Sequence, residues 1–138
     1  MAATYNLTAL LALAFGTYAL AAGLGMLRHP RWGMGMIDEC ERSAALRFLV
    51  GIVVFILGTT LVLVHPMSSH WLSILITVLS WIILAEGVIM LAFPGLIWPI
   101  AKVMLASSNT VYALMAMIIG IFFIIAAFAT GLQLPANG

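Results

Sequence analysis

Four long apolar runs, each interrupted at its end by proline or polar residues, dominate the pattern of the chain. They cover about Leu7 to Leu27, Ala44 to Val64, Trp71 to Phe93 and Val111 to Leu132. Each is close to the roughly 20 residues that a helix needs to cross a bilayer. The first three stop at His29-Pro30, His65-Pro66 and Phe93-Pro94, where the residue before proline is pushed out of the helical region. The fourth closes at Gly131, with Pro135 beyond it. The runs are continuous and do not alternate, so they predict helices and exclude barrel strands. The only formal charges inside them are Arg47 and Glu86.

The segments between runs one and two and between runs three and four carry helical patterns of their own. From Arg31 to Ser43, Trp32, Met36, Ile37 and Cys40 share one face, and Asp38, Glu39, Glu41 and Arg42 the other. That is a short helix lying in the interface, with Asp38 and Arg42 spaced to pair. Gly95 to Ser107 is more apolar, with Trp98 as an interfacial anchor and Lys102 as its one charge. Trp32 and Trp71 complete the set of aromatic anchors. Ser107, Ser108 and Asn109 offer N-caps for the fourth span. The expected fold is an all-α membrane protein: four transmembrane helices, with short interfacial helices between spans 1 and 2 and between spans 3 and 4.

Composition narrows the class. Of 138 residues, 65% are hydrophobic and only nine are charged. An ordinary soluble domain is about one quarter charged, so a soluble monomer is excluded. Five scattered cations make no nucleic-acid stripe. One cysteine, Cys40, excludes an internal disulfide. Arg28, Arg31, Arg42, Arg47 and Lys102 all fall beside the two helical connections, while the termini and the His65 to His70 connection carry no Lys or Arg. That asymmetry puts the connections in the cytoplasm and both termini outside. The first run lacks the basic start of a signal peptide and is too long for one. Asn6-Leu7-Thr8 fits a glycosylation acceptor but abuts the first span.

The chain also matches itself. Offset by 64, Leu20, Ala21, Gly23, Met26, Leu27 and Pro30 fall on Leu84, Ala85, Gly87, Met90, Leu91 and Pro94. Leu11 with Leu75 and Ser43 with Ser107 extend the match thinly. Two units, 1–66 and 67–138, each of two spans, insert the same way up, so they should be related by a pseudo-twofold along the membrane normal and not by inversion. Glu86-Gly87 eight residues before Pro94, with Pro30, Trp32, the Leu46-Arg47-Phe48 stretch and Gly51, resembles the YjeT-like small bacterial inner-membrane family of unknown function. The resemblance takes the form of a tandem duplication, with Ala22 where the first unit would carry Glu. It implies a bacterial inner-membrane location and no defined activity.

Candidate chemistry is sparse. Glu86 lies about 10 Å inside its span, where a charge costs roughly 2.5–3.5 kcal/mol on insertion scales. It reads either as one half of a buried pair with Arg47 or as a proton or cation site. Thr17, Tyr18, Ser73, Thr77 and Ser80 are the candidate polar lining, the last three sharing a face of span three. His29, His65 and His70 sit at span ends, which suits an interface better than haem or metal. The nine methionines lie mostly in apolar stretches and read as packing filler, so no cofactor and no metal are expected. Ala19 with Gly23, Ala21 with Gly25, and Gly51 with Gly58 form rows that allow close helix approach. No nucleophile, base pair of carboxylates or phosphate loop supports an enzyme. The sequence points to a non-catalytic membrane subunit that self-associates or packs into a larger inner-membrane complex. The alternative is a small oligomeric ion or proton channel or transporter with Glu86 in its pathway.

Overall fold

The computed structural model describes residues 2–65, 67 and 69–131, with side chains from Leu7 onward. Leu132, Pro135 and Pro66, which figure in the sequence-based boundaries, lie outside the described residues, as does the Asn6 side chain. Six helices follow in order: α1 Ala2–Arg28, α2 Trp32–Arg42, α3 Ala44–Val64, α4 Trp71–Ala92, α5 Ile97–Ser107 and α6 Asn109–Gly131. Four of them, α1, α3, α4 and α6, are long and apolar enough to span a bilayer. The chain is thus an all-α, multi-pass membrane protein, with α2 and α5 as the two short helices between spans.

Local chemistry accounts for the breaks. Arg28, Val64 and Ala92 each end their helix two residues before a proline. Ser43 caps α3 by accepting from Leu46 N at 3.2 Å, and Ser108 caps α6 by accepting from Val111 N at 3.3 Å. The counterpart of Ser43 is therefore Ser108, not Ser107: Ser107 bonds back to Met104 O. One extra residue between Pro94 and Ile97 shifts the match from 64 to 65 positions. Pro99 falls in the first turn of α5, where its missing N–H leaves no gap.

The spans pack as two antiparallel pairs, α1 with α6 and α3 with α4, joined mainly through α1 and α4. In the first pair, small residues recur every seventh position: Ala9, Gly16 and Gly23 on α1, Ala113, Gly120 and Ala127 on α6, all buried. A Cβ added at Gly120 would sit 2.6 Å from Leu20 N and 2.7 Å from Gly16 O. The two backbones therefore touch, which only glycine permits. In the second pair the rows are Gly51 and Gly58 on α3 with His65 just past its end, and Ser73, Ser80 and Gly87 on α4, again all buried.

Exchanging α1–α3 for α4–α6 leaves this pairing unchanged. α1 on α6 becomes α4 on α3, α2 on α3 becomes α5 on α6, and α2 on α5 and α1 on α4 return to themselves. The exchange is not perfect in register. Gly23 meets Ala113 and Met117, which would carry Gly87 onto residues 48 and 52; Gly87 instead meets Phe55, about one turn along.

Two clusters hold the pairs together. At the end where α3 gives way to α4, Ala12, Leu72, Ile76, Ala126 and Ala127 form a buried core from α1, α4 and α6. At the opposite end, Cys40, Met90 and Trp98 bury against Ile37, Leu46 and Val50, joining α2 and α5 to α3 and α4. Trp98, only 9% exposed, is therefore a core residue and not the interfacial anchor its sequence position suggests. Trp32 and Trp71 are exposed.

Candidate functional site

Polar side chains concentrate in three places, and each is set by the helix that carries it. The first is where α3 ends. His65, the residue before Pro66, leaves the helix and turns its ring inward, leaving it 5% exposed. Its Nε2 lies 2.9 Å from Thr8 Oγ1 of α1 and its Nδ1 3.3 Å from Thr77 Oγ1 of α4. A neutral imidazole donates from one nitrogen and accepts at the other, and hydroxyls complement either arrangement. Burial holds the imidazole below its ordinary value, so the neutral ring is favoured. Ser73 and Ser80 continue the inner face of α4 beside Thr77, both buried. His65 is thus a buried bridge among three helices, not an interfacial histidine. The sequence carried one signal of this: it falls seven residues after Gly58, which itself falls seven after Gly51.

The second place is the junction of the short helices. Lys102 Nζ on α5 reaches Asp38 Oδ1 at 2.7 Å and Glu41 Oε2 at 2.9 Å on α2. Asp38 therefore pairs with Lys102 and not with Arg42, and Lys102 is a clamp between the two units. The hydrogen bond from Lys102 holds the Asp38 carboxyl below its usual range, and the bonds to Asp38 and Glu41 push the ammonium up.

The third place is the interior of the spans, where the sequence led to an Arg47–Glu86 pair. No such pair forms. The contacts of Gly51 with Leu91 and of Gly87 with Phe55 fix the register of α3 on α4. That register sets Glu86 abreast of Ile56, nine residues or about 14 Å along the axis from Arg47. Glu86 is itself exposed, on a face of α4 shared with the exposed Ile82 and Ile89. Arg47 is half-buried, and its Nε has no hydrogen-bond partner. Thr17 and Tyr18 likewise face outward: Tyr18 is 75% exposed, and Thr17 Oγ1 donates to Leu13 O of its own helix. Ser73, Thr77 and Ser80 face inward, so the polar lining reduces to α4 and its His65 contact. Asn109, whose Nδ2 donates to Met26 O at 3.0 Å, ties the start of α6 to the end of α1.

Chemically the sites are poor in reactivity. No group of three His, Cys, Asp or Glu side chains converges to hold a metal among the described residues. Several hydroxyls use their proton within their own helix: Ser80 to Ile76 O, Thr60 to Ile56 O, Thr130 to Ala126 O. That is how a hydroxyl is tolerated in apolar surroundings. Cys40 is buried, and burial pushes its thiol up, away from reactivity. Compared with known proteins, the chain matches no family model, no curated protein and no solved structure.

Proposed function

We propose that the chain is a non-catalytic membrane subunit of a bacterial inner membrane, built from a duplicated two-span unit, that self-associates or packs into a larger complex. The observation that carries this reading is Glu86. Its carboxyl stands on an outward apolar face about 9 Å inside the end of α4, with no ion pair among the described residues. A charge left there facing lipid costs several kcal/mol, and a second chain that brings a cation or hydrogen-bond donor to it offsets that cost. The matching buried rows Ala9, Gly16, Gly23 and Ser73, Ser80, Gly87, 64 positions apart, support the duplication, as does the exchange-invariant pairing of helices. The concentration of Lys and Arg beside α2 and α5 favours those helices on the cytoplasmic side and both termini outside. The YjeT resemblance fits the same location.

Crosslinking in native membranes tests it. A self-crosslinked species, or a stoichiometric partner, trapped through a photoreactive residue at Ile82 or Ile89 beside Glu86, is expected, and Glu86→Leu should change its yield. A chain that stays monomeric and uncaptured at both positions refutes the reading. The inward hydroxyl row of Ser73, Thr77 and Ser80 favours a second reading, a small oligomeric channel or transporter. It requires ion flux into liposomes that Glu86→Gln abolishes without loss of stability.

A further inference from the structure

The turn between α1 and α2 presents a shallow, open cleft lined by Arg28, His29, Pro30, Arg31 and Trp32. Pro30 ends α1, and Trp32 N closes the turn by donating to His29 O at 2.9 Å. The Trp32 ring lies against the last turns of α1, where a Cβ at Gly25 would meet it at 3.3 Å. His29 stands edge-on to the same ring, 6.2 Å between centroids. Two arginines and a histidine thus share one small exposed cleft, walled by an amphipathic aromatic at the end of a membrane span.

Their charge is not neutralised from within. The acids nearest in sequence are Asp38, Glu39 and Glu41, and Lys102 engages Asp38 and Glu41. Among the described residues the ion pairs are those of Lys102, so Arg28 and Arg31 enter none. The corresponding turn after α4 offers a control inside the same molecule. Counted from Pro94, it reads Ala92, Phe93, Gly95 and Leu96, where the first turn has Arg28, His29, Arg31 and Trp32. The same backbone break is made there without a single charge, so the turn does not need the cations.

We infer that this cleft binds the phosphate headgroup of an anionic phospholipid, held by Arg28 and Arg31 with Trp32 seated at the acyl boundary. Basic pockets at the ends of spans recognise anionic headgroups, and guanidinium matches phosphate oxygens in a two-pronged fashion. The inference does not depend on self-association or on transport.

Purified full-length chain in maltoside micelles, titrated with phosphatidylglycerol or phosphatidylcholine and followed by native mass spectrometry, tests it. Phosphatidylglycerol should bind and survive gentle activation, and phosphatidylcholine should not. Arg28→Gln with Arg31→Gln should weaken phosphatidylglycerol binding about thirtyfold, from roughly fivefold per cation near an anionic headgroup. Arg42→Gln, on α2 outside the cleft, should change it by less than about threefold. A melting curve of the double variant in phosphatidylcholine that matches the parent separates loss of a site from loss of fold. Equal binding of the two lipids, or equal binding by the double variant, overturns the proposal. So does displacement of the lipid by inorganic phosphate alone, which would make the occupant a soluble phosphate.

Discussion

The α1–α6 pair and the α3–α4 pair solve one packing problem with different materials. Both bring antiparallel helices close through small residues one heptad apart. In α1–α6 those residues are Ala and Gly throughout, and backbone rests on backbone at Gly16 and Gly120. In α3–α4 the corresponding row on α4 is Ser73, Ser80, Gly87, the row on α3 ends in His65, and the buried Arg47 Nε and Thr59 Oγ1 lack hydrogen-bond partners. Helices in lipid gain nothing from hydrophobic burial against each other, so contact depends on van der Waals fit and on polar links. The first pair relies mainly on fit, with one polar tie from Asn109 Nδ2 to Met26 O. The second trades part of its fit for hydrogen bonds, and it also carries Glu86 on its outer face. The polar links and the outward carboxyl of Glu86 thus sit on the α3–α4 pair, and the α1–α6 pair is the drier of the two.

The largest effect should come from the dry pair. Gly120→Val puts a branched side chain where even a Cβ would sit 2.6 Å from Leu20 N. No flexible side chain is available there to yield, so the helices must separate, at a cost of about 3 kcal/mol or more. Chemical denaturation in mixed micelles measures it. Gly95→Val, in a turn where a Cβ meets nothing within 4 Å, should be nearly silent. Comparable losses at the two positions would mean that the contact of backbones does not hold the pair.

His65→Ala tests the polar solution and should cost about 2 kcal/mol, from the lost hydrogen bonds and the space left behind. The pH dependence has a definite sign. His65 has its affinity for protons lowered by burial, so the folded state prefers the neutral ring. Stability is then complete above the ordinary value of 6.5 and is lost as pH falls through the lower folded value. Melting of the parent should drop as pH goes from neutral to acidic, and His65→Gln should flatten that slope. A parent whose melting is insensitive to acid in this range would contradict the buried bridge.

How much of this was legible in the sequence follows from which signals are local. Span limits, the prolines that end them and the amphipathic α2 could be read directly, because each depends on neighbours within a few residues. The partner of each helix could not. A span that is apolar around its whole circumference gives no clue to its inward face, so Glu86 and Arg47 looked adjacent when register sets them about 14 Å apart along the axis. The seventh-residue rows were the readable clue to those faces: Ala9, Gly16 and Gly23 announce the α1 interface, and Ser73 and Ser80 mark the same positions in the second unit. Trp98 misled because tryptophan at a span end usually marks the interface, and its burial depends on α2, far away in sequence. The Lys102 clamp was hidden for the same reason, since Asp38 had a nearer partner in Arg42 along its own helix.

A smaller effect, of opposite sign, should appear at Thr59. Its Oγ1 is buried without a hydrogen-bond partner, whereas Thr60 beside it bonds Ile56 O at 2.7 Å. Replacing an unsatisfied buried hydroxyl by a methyl of the same shape removes a desolvation penalty and keeps the packing. Thr59→Val should stabilise the chain by about 1 kcal/mol, and Thr60→Val should not. Denaturation of the two variants side by side decides it; a loss at Thr59 equal to that at Thr60 would mean its hydroxyl has a partner in the membrane.

The smallest expected change converts the polar pair toward the dry one. Ser80 occupies in α4 the place of Gly16 in α1, and its hydroxyl donates to Ile76 O of its own helix at 2.7 Å. A bond of that kind does not hold α4 to α3, so it contributes little to the pair. Ser80→Ala should leave stability within about 0.5 kcal/mol of the parent, even though the side chain is 1% exposed. The value of so small a change lies in what else it measures. If the second unit is polar because ions pass along the row of Ser73, Thr77 and Ser80, flux into liposomes should fall in Ser80→Ala while the melting curve stays put. If the row only adjusts packing and the outer face with Glu86 does the work, flux is absent in parent and variant alike and the self-crosslinked species is unchanged. A large loss of stability with neither flux nor crosslinking affected would instead make Ser80 a packing residue as indispensable as Gly120, and the contrast between the two pairs would collapse.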